Sequence, residues 1–539
     1  MSRTTRPMRS LTRRSLLGRA AAVAAVAGCS DPERGTPGSD TEVPLTDSDT
    51  DTNPVTVARK PNIIYIFLDQ LRGTAWGAAG DPAAITPNLD GLAASSVRFA
   101  RAYTNAPLCR PARAVMLSGR YPHQTGVVHN WTLPPPSGPS HVRRMRDEAG
   151  YHTMVIGKFH LYEGKEHTDE YLALMAEFGF SDAIELLGQT DQTERRTQYS
   201  DWLTATTPEG EGDKFARYID YTEQYTWFSP PPDAEPWRLT TEDHLDQYTA
   251  RRAVTWLQEY TSDQPFYLQL NFPGPHKPFN ATSEFRALYD LTKTPFPGAI
   301  LEIPKDPSPI VEQYLGIKYE EWTDTTWREL ALAYYATVTL VDDAIGQVLA
   351  ELEASGRLDD TWIVFGGDHG EMLGDHMITG KVVFYEGSIR QALMIRPPGG
   401  TDPWTSEALV DQTDVTSTIL AIAGLANEAD QPGTPLDAKV MAGPLATDAQ
   451  THRTEVFGGD LGYYFIRDGR YKAGFDPEAR RIMELFDLDA DPDERVNLRS
   501  DPTLEALRLD LHARFEAYYA DWPEVRAVPS DTGDAGYAG

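Results

Sequence analysis

The chain has 539 residues, 40% hydrophobic and 24% charged, with 2 cysteines and a formal net charge of −31. That length holds one large core or several domains, and the composition is globular rather than fibrous or wholly disordered. Two cysteines exclude a disulfide scaffold and a cysteine-ligated cluster. The acidity repels nucleic acid and anionic membranes, so an anionic substrate needs a local cationic pocket.

The first twenty residues run against this charge, with Arg3, Arg6, Arg9, Arg13, Arg14 and Arg19 and no acid. Thr12-Arg13-Arg14-Ser15-Leu16-Leu17 is similar to a twin-arginine export signal. The apolar stretch Ala20 to Ala27 falls far short of the ~20 residues that span a bilayer. Val26-Ala27-Gly28-Cys29 resembles a bacterial lipobox, which implies cleavage before Cys29 and acylation of its sulfur. The alternative is an ordinary cleaved signal with a coincidental cysteine. Residues 1–28 are therefore expected to be a lipoprotein signal peptide. Residues 29–58, rich in Ser, Asp, Thr, Pro and Gly, read as a disordered acidic linker. The expected product is an exported protein facing the periplasm or cell exterior, touching the membrane through its lipid alone.

From Asn62 the pattern changes. Asn62-Ile63-Ile64-Tyr65-Ile66-Phe67-Leu68 is an apolar run that stops at Asp69-Gln70. The same grammar recurs where Thr153 to Ile156 leads into Gly157-Lys158-Phe159-His160. It recurs again where Phe266 to Leu270 leads toward Pro275-His276-Lys277-Pro278, and where Trp362 to Phe365 leads into Gly366-Gly367-Asp368-His369. Helical stretches such as Trp327 to Leu352 lie between. This predicts an α/β fold with a mainly parallel central sheet flanked by helices over 59–435, and a smaller C-terminal α+β domain over 436–539. Ligands of such sheets sit beyond the carboxyl ends of the strands, where four sets of polar side chains would meet.

Cys109 opens Cys109-Arg110-Pro111-Ala112-Arg113, with Pro111 suited to a first helical turn and Gly119 to a helix end. A helix N-terminus favours anions, and Arg113, four residues on, shares its face. Downstream, Asp487-x-Asp489-x-Asp491 imitates a calcium loop, but Pro492 and Leu498 stand where that loop needs Gly and Glu. It reads as a plain loop, followed by a helix over Leu504–Tyr519.

Taken together, these segments resemble the type I sulfatases of the alkaline-phosphatase superfamily from about Pro61 to Leu498. The resemblance rests on Asp69-Gln70, Thr86-Pro87-Asn88-Leu89-Asp90, the Cys109 motif, Gly119-Arg120-Tyr121-Pro122 and Gly157-Lys158-Phe159-His160. It continues through Pro275-His276-Lys277-Pro278-Phe279, Gly367-Asp368-His369-Gly370-Glu371, Gly374 to Lys381 and Glu484 to Leu488. It implies sulfate monoester hydrolysis, with Cys109 converted to formylglycine by a formylglycine-generating enzyme. One hydroxyl of the hydrated aldehyde attacks sulfur, giving a covalent sulfo-enzyme; the other then expels sulfate and restores the aldehyde. It also implies one divalent metal on Asp69, Gln70, Asp368, His369 and residue 109. Arg113 and Lys158 would hold the formylglycine, and His160 would act as base. His276 and Lys381 would bind sulfate and protonate the leaving oxygen.

Many sulfatases carry Asp-Asp and Asp-Asn where this chain has Asp69-Gln70 and Asp368-His369. The pairing resembles the branch of choline sulfatases and phosphonate or phosphate ester hydrolases, so hydrolysis of phosphorus esters is the alternative activity. Calcium is the expected metal, with manganese or another transition metal open because of the imidazole. A non-catalytic lipoprotein with an unmodified Cys109 is the third reading. Trp131, Tyr121, Trp227 and the insert 163–237 are candidates for lining the pocket. Arg143, Arg144 and Arg146 are candidates for meeting a sulfated small molecule or glycan.

Overall fold

The structure, a computed structural model, describes residues 59–520 except 164–168, 190–191, 193–195, 224–238, 293–301, 303, 305, 316–321, 447–449, 461 and 478. The expected signal peptide, the linker and Trp227 lie outside the described residues. The described residues from Pro61 to Ala520 form one compact unit.

Strand β1 (Asn62–Leu68) is buried along its whole length. Its alternate side chains enter two different cores. Ile64, Ile66 and Leu68 pack with the long helix Asp324–Ala354, and Ile63, Tyr65 and Phe67 pack with the helix Cys109–Ser118. A strand covered by helices on both faces has no use for polar alternation, which is why it reads as a continuous apolar run. The other strands of this sheet are β2 (Val97–Tyr103), β3 (His152–Gly157), β4 (Asp182–Glu185), β5 (Phe266–Phe272), β6 (Thr361–Gly367), β7 (Arg390–Gln391), β8 (Met394–Arg396) and β9 (Trp404–Asp411). They lie in the order β4-β3-β5-β1-β6-β8-β2-β7, with β9 also on β2. From β4 to β6 all pairings are parallel, while β8 runs antiparallel to both β6 and β2.

The expected C-terminal elements are present. Strands β10 (Glu455–Asp460), β11 (Tyr463–Asp468), β12 (Tyr471–Asp476) and β13 (Arg481–Asp487) form an antiparallel sheet. The helix Glu505–Tyr518 covers it through Leu511 and Phe515. A further core is shared by both sheets, with Tyr103, Leu108 and Ile389 against Val456, Phe465 and Phe486. Asp487 accepts hydrogen bonds from the backbone N–H groups of Asp489 and Ala490 and pairs with Arg470, so the acidic triplet is a turn. No helix among the described residues is long and apolar enough to cross a membrane.

Candidate active site

The sheet order explains why four distant segments meet. Strands β3, β5, β1 and β6 are consecutive neighbours and parallel, so their carboxyl ends share one edge. Asp69-Gln70 leave β1, Lys158 to His160 leave β3, His276 follows β5, and Asp368-His369 leave β6. The Cys109 helix points its first turn at the same edge. Leu108 is extended before it, and Gly119 ends it in the left-handed region at φ +67°.

Asp69, Cys109, Asp368 and His369 are fully buried, and each offers one ligand atom within 4.8 Å of the others. Cys109 Sγ lies 3.3 Å from His369 Nε2 and 3.8 Å from Asp69 Oδ1. His369 Nδ1 is 3.0 Å from the Gly370 carbonyl, so Nδ1 carries the proton and Nε2 turns a lone pair to the carboxylates. Burial holds the His369 pKa down to about 4, which keeps that lone pair free at neutral pH. Two carboxylates, a neutral imidazole and residue 109 converging in a buried space fit a divalent cation.

Cations surround this group. Arg113 Nε and Nη2 donate to Asp368 Oδ2 (3.1 and 3.0 Å), and Nη2 also reaches Asp69 Oδ2 (3.2 Å). Lys158 Nζ is 2.7 Å from Asp69 Oδ2. Lys381 Nζ donates to Gln70 Oε1 (2.8 Å) and to Cys109 Sγ (3.0 Å). Burial alone would raise the Asp69 pKa, but Lys158, Arg113 and Lys381 together outweigh it and hold Asp69 well below the usual carboxylate range. Burial and then Asp69 push the Cys109 thiol upward against Lys381 and Lys158. As a thiol, Cys109 therefore stays protonated and is a poor nucleophile.

His160 and His276 complete the set. Burial, then Lys158, Arg110 and Arg113, keep His160 neutral. Its buried Nδ1 has no hydrogen-bond partner among the described residues. Burial, then Lys381, keep His276 neutral, with Nδ1 2.7 Å from the Lys277 carbonyl. Gly157, just before Lys158, has φ +102°, and a Cβ there would fall 1.8 Å from the Asn271 carbonyl oxygen, so only glycine lets this turn pass. Every catalytic and metal-site candidate read from the sequence thus reaches one edge of the sheet.

Three supporting residues escaped the sequence reading. Buried Glu371 accepts from Gln70 Nε2 and from the backbone N–H groups of Leu373 (2.9 Å) and Gly380 (2.6 Å). Tyr334 on the long helix donates to the Gln70 carbonyl (2.9 Å) and accepts from Arg72 N–H (2.8 Å). Asp246 accepts from Gly274 N–H (2.9 Å) and anchors the segment that bears His276; burial pushes its pKa up to about 7. Glu371 stands inside a quoted motif and could have been noticed as an acid with no assigned task. Nothing in the sequence signals the other two.

Some expectations fail. Tyr121 does not line a pocket, because its ring packs edge-on against Tyr518 and stacks with His123. Arg143 spends its guanidinium on the carbonyls of Pro136, Gly138 and Glu177, Arg144 pairs with Glu148, and Arg146 with Asp147. These arginines stitch a helix to its neighbours and are not a reserved anion site.

A family model described as Sulfatase matches residues 61–425, and one described as N-sulphoglucosamine sulphohydrolase, C-terminal, matches 374–521. The chain is 30% identical over 489 residues to a choline-sulfatase of Rhizobium meliloti, covering 86% of this chain and 87% of the relative. It is 26% identical to an arylsulfatase of Clostridium perfringens, covering 88% of this chain and 99% of that one. The fold is similar to that of a phosphonate monoester hydrolase of Agrobacterium radiobacter, with TM-score 0.68 and 23% identity over 86% of this chain and 96% of that one.

Proposed function

Since the chain belongs to the sulfatase family of the alkaline-phosphatase superfamily and is a sulfuric ester hydrolase, we propose that it hydrolyses sulfate monoesters at the Asp69–Cys109–Asp368–His369 centre, with Cys109 matured to formylglycine. The observation that carries this is the convergence of a buried ligand set and three cations on one cysteine whose own thiol is held protonated. When present, a divalent cation polarises the sulfate oxygens and formylglycine supplies the nucleophilic oxygen. Calcium is our first candidate, and the imidazole ligand favours manganese as the second.

The chain's own residues do the rest. Arg113 and Lys158 hold Asp69 ionised, Arg113 also pairs with Asp368, and with Lys381 they supply three cations to a pocket within an acidic protein. Lys381, already against residue 109, is our candidate to protonate the departing alcohol, with neutral His276 beside it. Neutral His160 is our candidate to take the proton in the step that releases sulfate. The substrate is a sulfated small molecule or glycan. We also propose that residues 1–28 direct export and that Cys29 carries the lipid; the arginine pair, the apolar run and the cysteine follow the required order.

Mass spectrometry of protein from its native host reads both cysteines. We expect the Cys109 peptide about 18 Da lighter than its thiol form, as aldehyde formation requires, and an acylated Cys29 at the N-terminus. An intact thiol at 109 overturns the formylglycine reading, and an unacylated Cys29 overturns the anchor. Phosphonate ester hydrolysis is the second reading, favoured by Gln70 and His369 in place of the commoner Asp and Asn. Values of kcat/KM on matched aryl sulfates and phosphonates rank the two, and a phosphonate preference of orders of magnitude reverses our order.

A further inference from the structure

The two groups placed at the departing alcohol ride on separate loops. His276 lies on the segment that follows β5, and Lys381 closes the segment that follows Asp368-His369. Each segment is pinned from behind. A Cβ on Gly274 would fall 2.7 Å from Asp246 Oδ2 and 2.7 Å from Val341 Cγ2, so the first lies flat against the helices Leu245–Glu259 and Asp324–Ala354. His276 Nδ1 donates to the Lys277 carbonyl, which leaves its Nε2 an acceptor and makes Lys381 the proton donor of the pair. The second segment closes on itself, with Met372 N–H on the Gly380 carbonyl (2.7 Å). Just past Lys381, Val382 N–H donates to the carbonyl of Pro107 (3.1 Å), two residues ahead of Cys109. Val382 holds φ +84°, a conformation that a β-branched residue seldom adopts.

A side chain joins the two loops. Lys277, next to His276, reaches across and donates from Nζ to Thr379 Oγ1 (3.0 Å), two residues before Lys381. Thr379 is buried, and the Lys277 ammonium is paired with no carboxylate among the described residues. An ammonium on a neutral hydroxyl gains less than one on a carboxylate, so fold stability alone gives Lys277 little reason to be there. The link has a geometric effect instead. Lys381 is held on one side by Thr379 through Lys277 and on the other by the strained Val382 turn, and its Nζ has to reach both Gln70 Oε1 and residue 109. Proton transfer to a leaving oxygen needs donor and acceptor within hydrogen-bond reach, and a displacement of about 1 Å can cost about 100-fold.

Resting on the sulfatase reading above, we infer that Lys277 is a positioning residue for leaving-group protonation, its bond to Thr379 setting Lys381 against His276 at the departing oxygen. Such a residue matters where the alcohol leaves poorly and needs its proton, and little where it leaves well. The test measures kcat/KM of the full-length matured enzyme on an alkyl sulfate and on a nitrophenyl sulfate. In Lys277→Met we expect a loss of about tenfold or more on the alkyl ester, carried by kcat, and of less than about twofold on the nitrophenyl ester. Damage to the fold would strike both esters alike, so the ratio separates positioning from stability. Lys277→Arg, which can still donate to Thr379, should keep most of the alkyl activity. Thr379→Val should reproduce the selective loss, and the double variant should lose no more than either alone, since both changes break one contact. Equal losses on both esters, no loss, or losses that multiply in the double variant overturn the inference and leave the sulfatase reading standing. A parent that consumes phosphonate esters and neither sulfate overturns the sulfatase reading instead, and the same two leaving groups on phosphorus then decide the inference.

Discussion

Glu371 has no place in the chemistry proposed above, yet it decides which way Gln70 faces. Its carboxylate takes the Gln70 amide and two backbone N–H groups, so the Gln70 carbonyl oxygen turns to Lys381 and the catalytic pocket. Glu371→Gln keeps the shape but sets an amide against the Gln70 amide. We expect a loss of about 10–100-fold in metal affinity or kcat/KM, the usual cost of removing a residue that orients a ligand, with little change in stability. Metal titration monitored by activity and by elemental analysis reads it. The cysteine, both acid-led pairs, Lys158 and His160 could be recognised from the sequence because each follows a strand or opens a helix, and Arg113, His276 and Lys381 because they stand in matched motifs. Tyr334 could not be, because its meaning lies in contacts some 260 residues away, nor could Asp246, a lone helix acid whose partner is the backbone N–H of Gly274; Glu371 stood in a matched motif as an acid with no task. Tyr121 misled for the opposite reason, since an aromatic reads alike in a pocket and in a core.

At the level of elements, the apolar runs announced β1, β3, β5 and β6 because a sheet covered on both faces allows no alternation. The antiparallel turn of β8 between β6 and β2 was not readable, since a three-residue strand carries no periodic signal. Helix docking adds a titratable feature. Asp342 on the long helix Asp324–Ala354 accepts from the N–H groups of Asn88 (3.1 Å) and Leu89 (2.7 Å) and from Asn88 Nδ2 (2.9 Å), capping the helix Pro87–Ala93 from outside. Burial outweighs these donors and, with Asp90 nearby, pushes its pKa up to about 7. The folded chain then keeps a proton that the unfolded chain releases near its ordinary value of 3.8. This group's stabilisation is full below that value and fades as pH rises toward 7. Denaturant titrations from pH 4 to 8 should show Asp342→Asn gaining on the parent up to about pH 7 and keeping pace above it. A constant difference across the range would contradict this.

For the whole molecule, a net charge of −31 surrounds a pocket that has to admit anions. Repulsion acts at long range, where the individual cations of the pocket are not resolved, and it weakens as the Debye length falls from about 30 Å at 0.01 M salt to about 8 Å at 0.15 M. We expect kcat/KM for a sulfate monoester to rise over that interval while kcat stays level, as initial-rate measurements at fixed pH can show. A fall would mean that the local cations dominate the approach. The complete burial of Cys109 has a further consequence, one of timing. Any enzyme that remakes this side chain must grip the segment around it as open chain, before the helix Cys109–Ser118 seats against β1. The pocket closes only when Lys381 has arrived, some 270 residues after the cysteine. Synthesis itself therefore leaves an interval in which residue 109 is reachable, and, on the maturation proposed above, conditions that hasten folding should yield more protein that is well folded and permanently inactive.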